Sequence, residues 1–331
     1  MRKMSMKKNR AACMAALSIS LMLAVSGCGA GEKGAAQLIS SSGGAAQGND
    51  AEMLDQGETD MAASAEKEST AMISSEPPVL SLTPAQMHRG DLILVSAKYA
   101  YDFDANADQE PVLIAENRSY DYPLERSDFR VKAEILPHLD EMIRDLDEAM
   151  GTKVTSVSSA WRSKEYQQSV WDEYAELYGE SYSQKYVAVP GYSEHHTGLA
   201  VDLGIIYDDG SEGTFSESEN AVWAAKNCAR YGFVRRYAED KTDITGISNE
   251  AWHFRYVGRP HAAYMQEHNL CLEEYLDYLR SHTSKNEPLV IHCDDKDYSV
   301  FYTADTSISE PAGSYTISGD NVGGYIFTVS A

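Results

Sequence analysis

Residues 193–202 read SEHHTGLAVD and residues 250–254 read EAWHF. Asp202 is preceded by Ala200 and Val201 and followed by Leu203, Ile205 and Ile206, so a strand carries this carboxylate into a buried face. A carboxylate taken out of water needs a partner, and a metal ion is one. Zinc enzymes that hydrolyse amides use three nitrogen or oxygen ligands, an open fourth position for water, and a nearby carboxylate that takes the water's proton. His195, Asp202, His253 and Glu250 can fill those four places, although on chemistry alone His196 competes with His195. Gly198, which lacks a Cβ, lets the chain turn sharply between the ligands and approach the ion closely.

Written as SxHxxGxAxD followed by ExWH, these stretches resemble the VanY-type D-alanyl-D-alanine carboxypeptidases, zinc peptidases of the superfamily that also holds lysostaphin and the hedgehog fold. Further ordered motifs agree: SAWRS from Ser159 to Ser163, EYQ from Glu165 to Gln167, YGFVRRY from Tyr231 to Tyr237, and KTDITGISNEAWHFRYVG from Lys241 to Gly258. The resemblance spans Leu92 to Arg280. It implies that His195, Asp202 and His253 bind Zn2+, with the register HxxGxAxD selecting His195, and that Glu250 is the catalytic base. It also implies that Arg162 of SAWRS reaches the substrate, joined by Gln167 and Ser193. Ser193 has an alternative use, which is to orient His195 from behind. Ala251 stands where the family commonly has proline, which loosens the turn before His253 without removing a functional group.

The N-terminus reads as a targeting segment. Arg2, Lys3, Lys7, Lys8 and Arg10 precede an apolar run from Ala11 to Val25, and small residues lead to Cys28, the layout of a secretory signal rather than a membrane span. The ending Val25-Ser26-Gly27-Cys28 resembles the bacterial lipobox, which implies lipidation of Cys28 after removal of residues 1–27. A diacyl chain, at ~0.8 kcal/mol per buried methylene, holds a protein at a membrane surface. Residues 28–78 are rich in Gly, Ala, Ser, Glu and Asp without sustained periodicity, the composition of a disordered tether. A tethered enzyme suits a fixed polymer as substrate.

Fifty-one acidic against 28 basic residues give a net charge of -23, and loss of the five basic residues of the signal brings the mature chain to -28, that is -23 minus 5. Nucleic acid is excluded as a partner, because neutralising phosphates requires a basic surface. Beyond Cys13 and Cys28 the cysteines are Cys228, Cys271 and Cys293, with no CxxC pair to hold a structural zinc. A Cys271 to Cys293 disulfide is permitted outside the cytoplasm but not indicated by spacing.

Along the chain, Leu92–Val95 and Pro111–Ala115 read as short strands, while Val131, Ile135, Leu139, Met142 and Leu146 recur at helical spacing. Val154–Ser158 reads as a strand, followed by a helix capped by Ser163 with Tyr166, Val170, Tyr174 and Leu177 along one stripe. A helix through Ala221 and Cys228 ends at Gly232, and Phe233–Tyr237 forms the next strand. Trp252 is placed as packing under the metal site, and Arg259–Ser281 as one closing helix. Segments at Leu289–Ile291, Tyr298–Tyr302, Tyr315–Ile317 and Tyr325–Val329 read as strands too few to fold alone, which therefore lean on the preceding domain.

The fold expected is thus α+β, a small antiparallel sheet flanked by helices and carrying a zinc site, with a short C-terminal β segment. The domains expected are a signal at 1–27, a lipidated tether at 28–78, a catalytic domain at 79–285 and the β segment at 286–331. The activity expected is removal of the terminal D-alanine from peptidoglycan stem peptides ending in D-Ala-D-Ala, outside the cytoplasm at the bacterial membrane. The rival readings are a peptidoglycan endopeptidase or D,D-dipeptidase on the same fold, and a non-catalytic zinc-containing wall-binding protein. Glu250 opposes the last of these, since a purely structural site needs no unligated base.

Overall fold

The computed structural model describes residues 77–330. The expected signal, Cys28 and all of the tether except Pro77 and Pro78 lie outside the described residues. The main sheet is antiparallel and contains β1 (Thr155–Ser159), β2 (Ala200–Ile206), β3 (Glu212–Gly213), β4 (Phe233–Tyr237) and β5 (Glu250–Tyr256). Their spatial order is β1-β2-β5-β4, with β3 paired to the end of β2.

Alternation along these strands divides the sheet into two faces with different chemistry. Val201, Leu203 and Ile205 of β2, with Phe254 and Tyr256 of β5, enter a core with helices α1 (Leu136–Met150) and α3 (Glu219–Asn227), the intervening α2 being Lys164–Tyr178. The residues between them, Asp202 on β2 with His253 and Arg255 on β5, take the other face and form the site. α1 is amphipathic in the way its spacing predicts. Leu139, Met142, Ile143 and Leu146 are fully buried, each worth about 1.5–3 kcal/mol relative to exposure. The helix stops at Gly151, whose φ of 68° is the left-handed conformation that glycine tolerates. Trp252, half-buried against this same core, lies beneath the site on the reverse side of β5.

Four elements differ from the sequence reading. Of the expected strand Pro111–Ala115 only Val112–Leu113 is strand, and the chain turns into a short helix at Ile114–Asn117. Leu92–Val95 is buried but forms no strand, because its backbone partners come from elsewhere. Leu92 N–H donates to the Ser318 hydroxyl, Leu94 N–H to the Asp320 carbonyl, and Arg255 donates to the carbonyls of Asp91 and Ile93. The apolar stripe expected on α2 is not core: Tyr166 and Leu177 are 40% and 53% exposed, and the buried side chain is Gln167. The expected closing helix is two, α4 (Arg259–Glu267) and α5 (Leu272–His282). Asn269 takes a left-handed φ of 49°, and Cys271 N–H donates to Glu274 to start α5 afresh.

The C-terminal strands β6 (Leu289–Cys293), β7 (Lys296–Thr303), β8 (Ser314–Gly319) and β9 (Tyr325–Ser330) form an antiparallel sheet ordered β8-β9-β7-β6. This sheet does lean on its neighbours, and on both faces. Ile291, Val300 and Ile326 share a core with Leu272, Tyr275, Leu276 and Leu279 of α5 and with Leu92 and Leu94. Phe301, Tyr325 and Phe327 on the opposite face are covered by Leu80, Leu82 and Met87. Cys228, Cys271 and Cys293 are free thiols, so the permitted disulfide is not formed.

Candidate active site

The site is assembled by strand register. Asp202 on β2 is paired directly with His253 on β5, and Asp202 is also opposite Ser159 on β1. The β4–β5 ladder shifts between Tyr237, paired with Glu250, and Arg235, paired with Phe254. Arg236 alone on β4 therefore faces the longer stretch Ala251–His253, and this irregularity re-aims the start of β5. It brings Glu250 Oε2 to 3.8 Å from His253 Nδ1, although regular alternation puts residues three apart on opposite faces.

His195 comes from the short 3-10 turn Glu194–Thr197. Ser193 caps this turn, its hydroxyl accepting from the His195 backbone N–H at 3.3 Å. Gly198 ends it with φ of 70°, where an added Cβ would stand 3.2 Å from the Lys132 backbone nitrogen. Ser193 is itself buried, in the position expected of a group that orients His195.

Hydrogen bonds fix which ring nitrogens face the site. His195 Nδ1 donates to the Ala160 carbonyl at 2.7 Å, leaving Nε2 bare and 3.3 Å from Asp202 Oδ2. His253 Nε2 faces Glu194 Oε2 at 3.3 Å and Nδ1 faces Asp202 Oδ1 at 3.0 Å, so a metal held at Nδ1 takes the place of a proton there while Nε2 keeps its own. The ligand atoms of these three buried residues lie within 4.8 Å of one another, the one such grouping among the described residues. Two imidazoles and a carboxylate, each ring held by a carbonyl or carboxylate behind it, are the donor set and supporting shell that zinc takes. The residues present therefore fit the ion.

His196 is a different case. Its Nδ1 donates to the Arg162 carbonyl at 2.7 Å and its Nε2 accepts from Gly191 N–H at 2.9 Å, so both nitrogens are occupied in holding the loop before the site.

The electrostatics follow from burial and neighbours. Burial, with Arg162 adding to it, pushes His195 down to about 4, against the pull of Asp202. Burial alone would raise Asp202, but the two histidines overcome it and hold the carboxyl well below the usual range. His253 is also disfavoured as a cation by burial, yet Asp202 and Glu194 raise it to about 9. Glu250 is raised to about 7, by burial first and by the charge on Asp202, against His253 and Arg162. A carboxyl near neutrality is suited to exchanging a proton with water and then with an amine.

Arg162 lies at the edge of this group with 17% of its side chain exposed. Nε and Nη2 donate to the Ser159 hydroxyl at 3.1 and 2.7 Å, Nη1 donates to Gln167 Oε1 at 3.2 Å, and Nη2 is 3.4 Å from Asp202 Oδ2. Gln167 is fully buried and its amide also donates to the Ala188 carbonyl at 2.8 Å. Both ends of Gln167 are thus engaged within the protein, and its bond to Arg162 orients the guanidinium.

Sequence reasoning missed four charged groups behind the site: Glu194, Arg236, Arg255 and Glu273. Glu194 Oε1 accepts from Arg236 at 2.8 Å and Arg255 at 3.0 Å, and Arg236 also forms a two-pronged pair with Glu273. Burial would raise Glu194, but the two arginines dominate and hold it far below the carboxylate range. A signal was available in the arginines themselves: each sits within an apolar strand, where a charge requires a partner.

The D-alanyl-D-alanine carboxypeptidase (VanY) family matches residues 128–259. The chain is 34% identical over 254 residues to a D-alanyl-D-alanine carboxypeptidase of Enterococcus faecium, covering 75% of this chain and 78% of that protein. It is 35% identical over 161 residues to the bifunctional D-Ala-D-Ala dipeptidase and D-Ala-D-Ala carboxypeptidase VanXYC of Enterococcus gallinarum, covering 47% and 83% of the two chains. Among solved structures, the vancomycin-resistance D,D-dipeptidase VanXYg, in complex with a D-Ala-D-Ala phosphinate analogue, superposes with a TM-score of 0.67 at 29% identity, covering 77% of this chain and 99% of that one.

Proposed function

The chain belongs to the VanY family of D-alanyl-D-alanine carboxypeptidases, and on that premise we propose that His195, Asp202 and His253 hold its zinc ion, Glu250 is the general base, and Arg162 recognises the chain end. The enzyme is a zinc peptidase that acts outside the cytoplasm and removes the terminal D-alanine from peptidoglycan stem peptides. The convergence of two ring nitrogens on the Asp202 carboxylate, with Glu250 beside the trio but outside it, carries the assignment of roles.

Zinc, when bound, polarises the scissile carbonyl and makes water a better nucleophile. Glu250 takes the proton from the attacking water and returns it to the departing D-alanine amine, which completes the hydrolysis without a covalent enzyme intermediate. Arg162, pinned by Ser159 and Gln167, presents its remaining Nη1 N–H to the substrate carboxylate or to the oxygen that becomes negative. Gln167 and Ser193 serve this chemistry by positioning Arg162 and His195. Loss of the D-Ala-D-Ala terminus removes what glycopeptide antibiotics bind, so the activity can contribute to resistance.

In the same proposal Cys28 carries the lipid that anchors the enzyme at the membrane. Residues 1–27 are the signal, 28–78 the tether, 79–285 the catalytic domain and 286–331 the small β segment. A second reading, D,D-dipeptidase activity, is supported by the bifunctional relative. Mass spectrometry of products separates the readings. A stem pentapeptide ending in D-Ala-D-Ala should lose one D-alanine only. Cleavage deeper in the stem would overturn the carboxypeptidase reading, and efficient splitting of free D-Ala-D-Ala would add the dipeptidase one.

A further inference from the structure

We propose that Glu194, although adjacent to His195 in the chain, is the positioning residue for the other histidine, His253, and that Arg236, Arg255 and Glu273 hold it in that task. The inference rests on the assignment of His253 as a zinc ligand.

The two oxygens of Glu194 have separate partners. Oε1 takes both arginines, and Oε2 is left to accept from His253 Nε2. A group that served only to neutralise Arg236 and Arg255 would not need its second oxygen on the ring. That bond keeps a proton on Nε2, directed away from the metal position, so Nδ1 is the nitrogen that gives up its proton to a metal. Glu194 cannot turn aside, because its side chain is wholly buried and gripped by two guanidinium groups that are themselves 1% and 0% exposed.

The grip extends to parts of the chain remote from the ligands. Arg236 is held in turn by Glu273 of α5, and Arg255 by the carbonyls of Asp91 and Ile93. Two carboxylates balance two guanidinium groups, so the cluster closes without a stray charge among its members. Helix α5 and the Asp91–Ile93 segment thereby brace a ligand that stands on the central strand β5.

The test uses the full-length chain and measures the zinc dissociation constant by chelator competition, together with the visible spectrum of the cobalt(II)-substituted protein. Glu194→Asp keeps a carboxylate for the arginines but withdraws it from His253. It should fold, with zinc binding weakened about tenfold to hundredfold and the cobalt bands shifted. Glu194→Gln should do the same; if it fails to fold, Glu194→Asp decides. Glu273→Gln, which touches neither histidine, should weaken zinc by a smaller factor in the same direction. Wild-type zinc affinity and an unchanged cobalt spectrum in Glu194→Asp would reduce the cluster to a structural role and overturn the proposal. A wild-type chain that binds no zinc, or a His253→Ala variant that binds it as well as wild type, would instead be a failure of the ligand assignment.

Discussion

Asp202 and His253 are direct cross-strand partners on β2 and β5, and the carboxylate Oδ1 lies 3.0 Å from the imidazole Nδ1. A one-residue slip in this register would turn His253 to the helix side of the sheet and replace it with Trp252 or Phe254. The catalytic arrangement is therefore as stable as the pairing of two central strands, each buried on both faces.

Glu250 and His195 should separate cleanly by metal content. Glu250→Gln is expected to retain zinc while turnover falls about 10²–10⁴-fold, the usual worth of a general base. His195→Ala should lose both zinc and activity. Metal analysis of purified variants alongside kinetics decides, and a folded but metal-free Glu250→Gln would show that Glu250 is a ligand.

Arg162 should act through the planar fork that Ser159 and Gln167 hold. Arg162→Lys supplies charge without that fork, so kcat/KM for a D-Ala-D-Ala pentapeptide should fall by more than tenfold. Capping the terminal carboxylate as an amide should lower kcat/KM of wild type sharply and of Arg162→Lys much less. An equal response to the cap in both proteins would move carboxylate recognition away from Arg162.

Gln167→Ala should mimic a weaker form of the Arg162 defect. The substitution leaves Arg162 Nη1 without its acceptor and the Ala188 carbonyl without its donor, a loss of about 1–3 kcal/mol in stability if water does not replace the amide. A melting curve with kcat/KM on the same preparation checks both. Full activity in a destabilised variant would confine Gln167 to the fold.

Cys28→Ala tests the anchor. Metabolic labelling with a fatty acid is expected to mark the wild-type chain and miss the variant, and fractionation should move the variant out of the membrane. Equal labelling of the two proteins would remove lipidation at Cys28.

The pH dependence of stability has an identifiable contributor far from the metal. His261 is buried, with Nδ1 2.7 Å from the Tyr275 hydroxyl and Nε2 3.0 Å from Thr328 Oγ1, and burial pushes it down to about 4. The unfolded chain takes a proton at this residue near pH ~6.5, whereas the native chain resists until about 4. The neutral ring's contribution is thus fully present above the unfolded value and is lost as pH falls toward the folded one, on the order of 3 kcal/mol in total. Urea unfolding of the zinc-free proteins at pH 7 and 4.5 should show His261→Gln losing less stability than wild type between the two. Parallel losses would place the acid sensitivity elsewhere.

Much of the site was legible in sequence: the resemblance carried by SEHHTGLAVD pointed to His195 and Asp202, and that carried by EAWHF pointed to His253 and Glu250. These are local facts, carried by alternation along β2 and by spacing around Gly198. Helix α1 was legible for the same reason, since its apolar residues repeat with the period of the helix that buries them. Tertiary structure alone decided what lies behind the ligands. His195 and His196 are chemically equal neighbours that only motif register separates in the sequence; the Ala160 carbonyl behind one ring, and the Arg162 carbonyl and Gly191 N–H at the two nitrogens of the other, give them their different tasks. Leu92–Val95 has the composition of a strand, yet its hydrogen bonds go to Arg255, Ser318 and Asp320, partners more than 160 residues away whose arrival no local pattern announces. Glu194 looked like the variable residue of a motif. It became a buried brace only when β4, β5 and α5 closed around it, because a charge can be held in the interior only where the fold brings its countercharges.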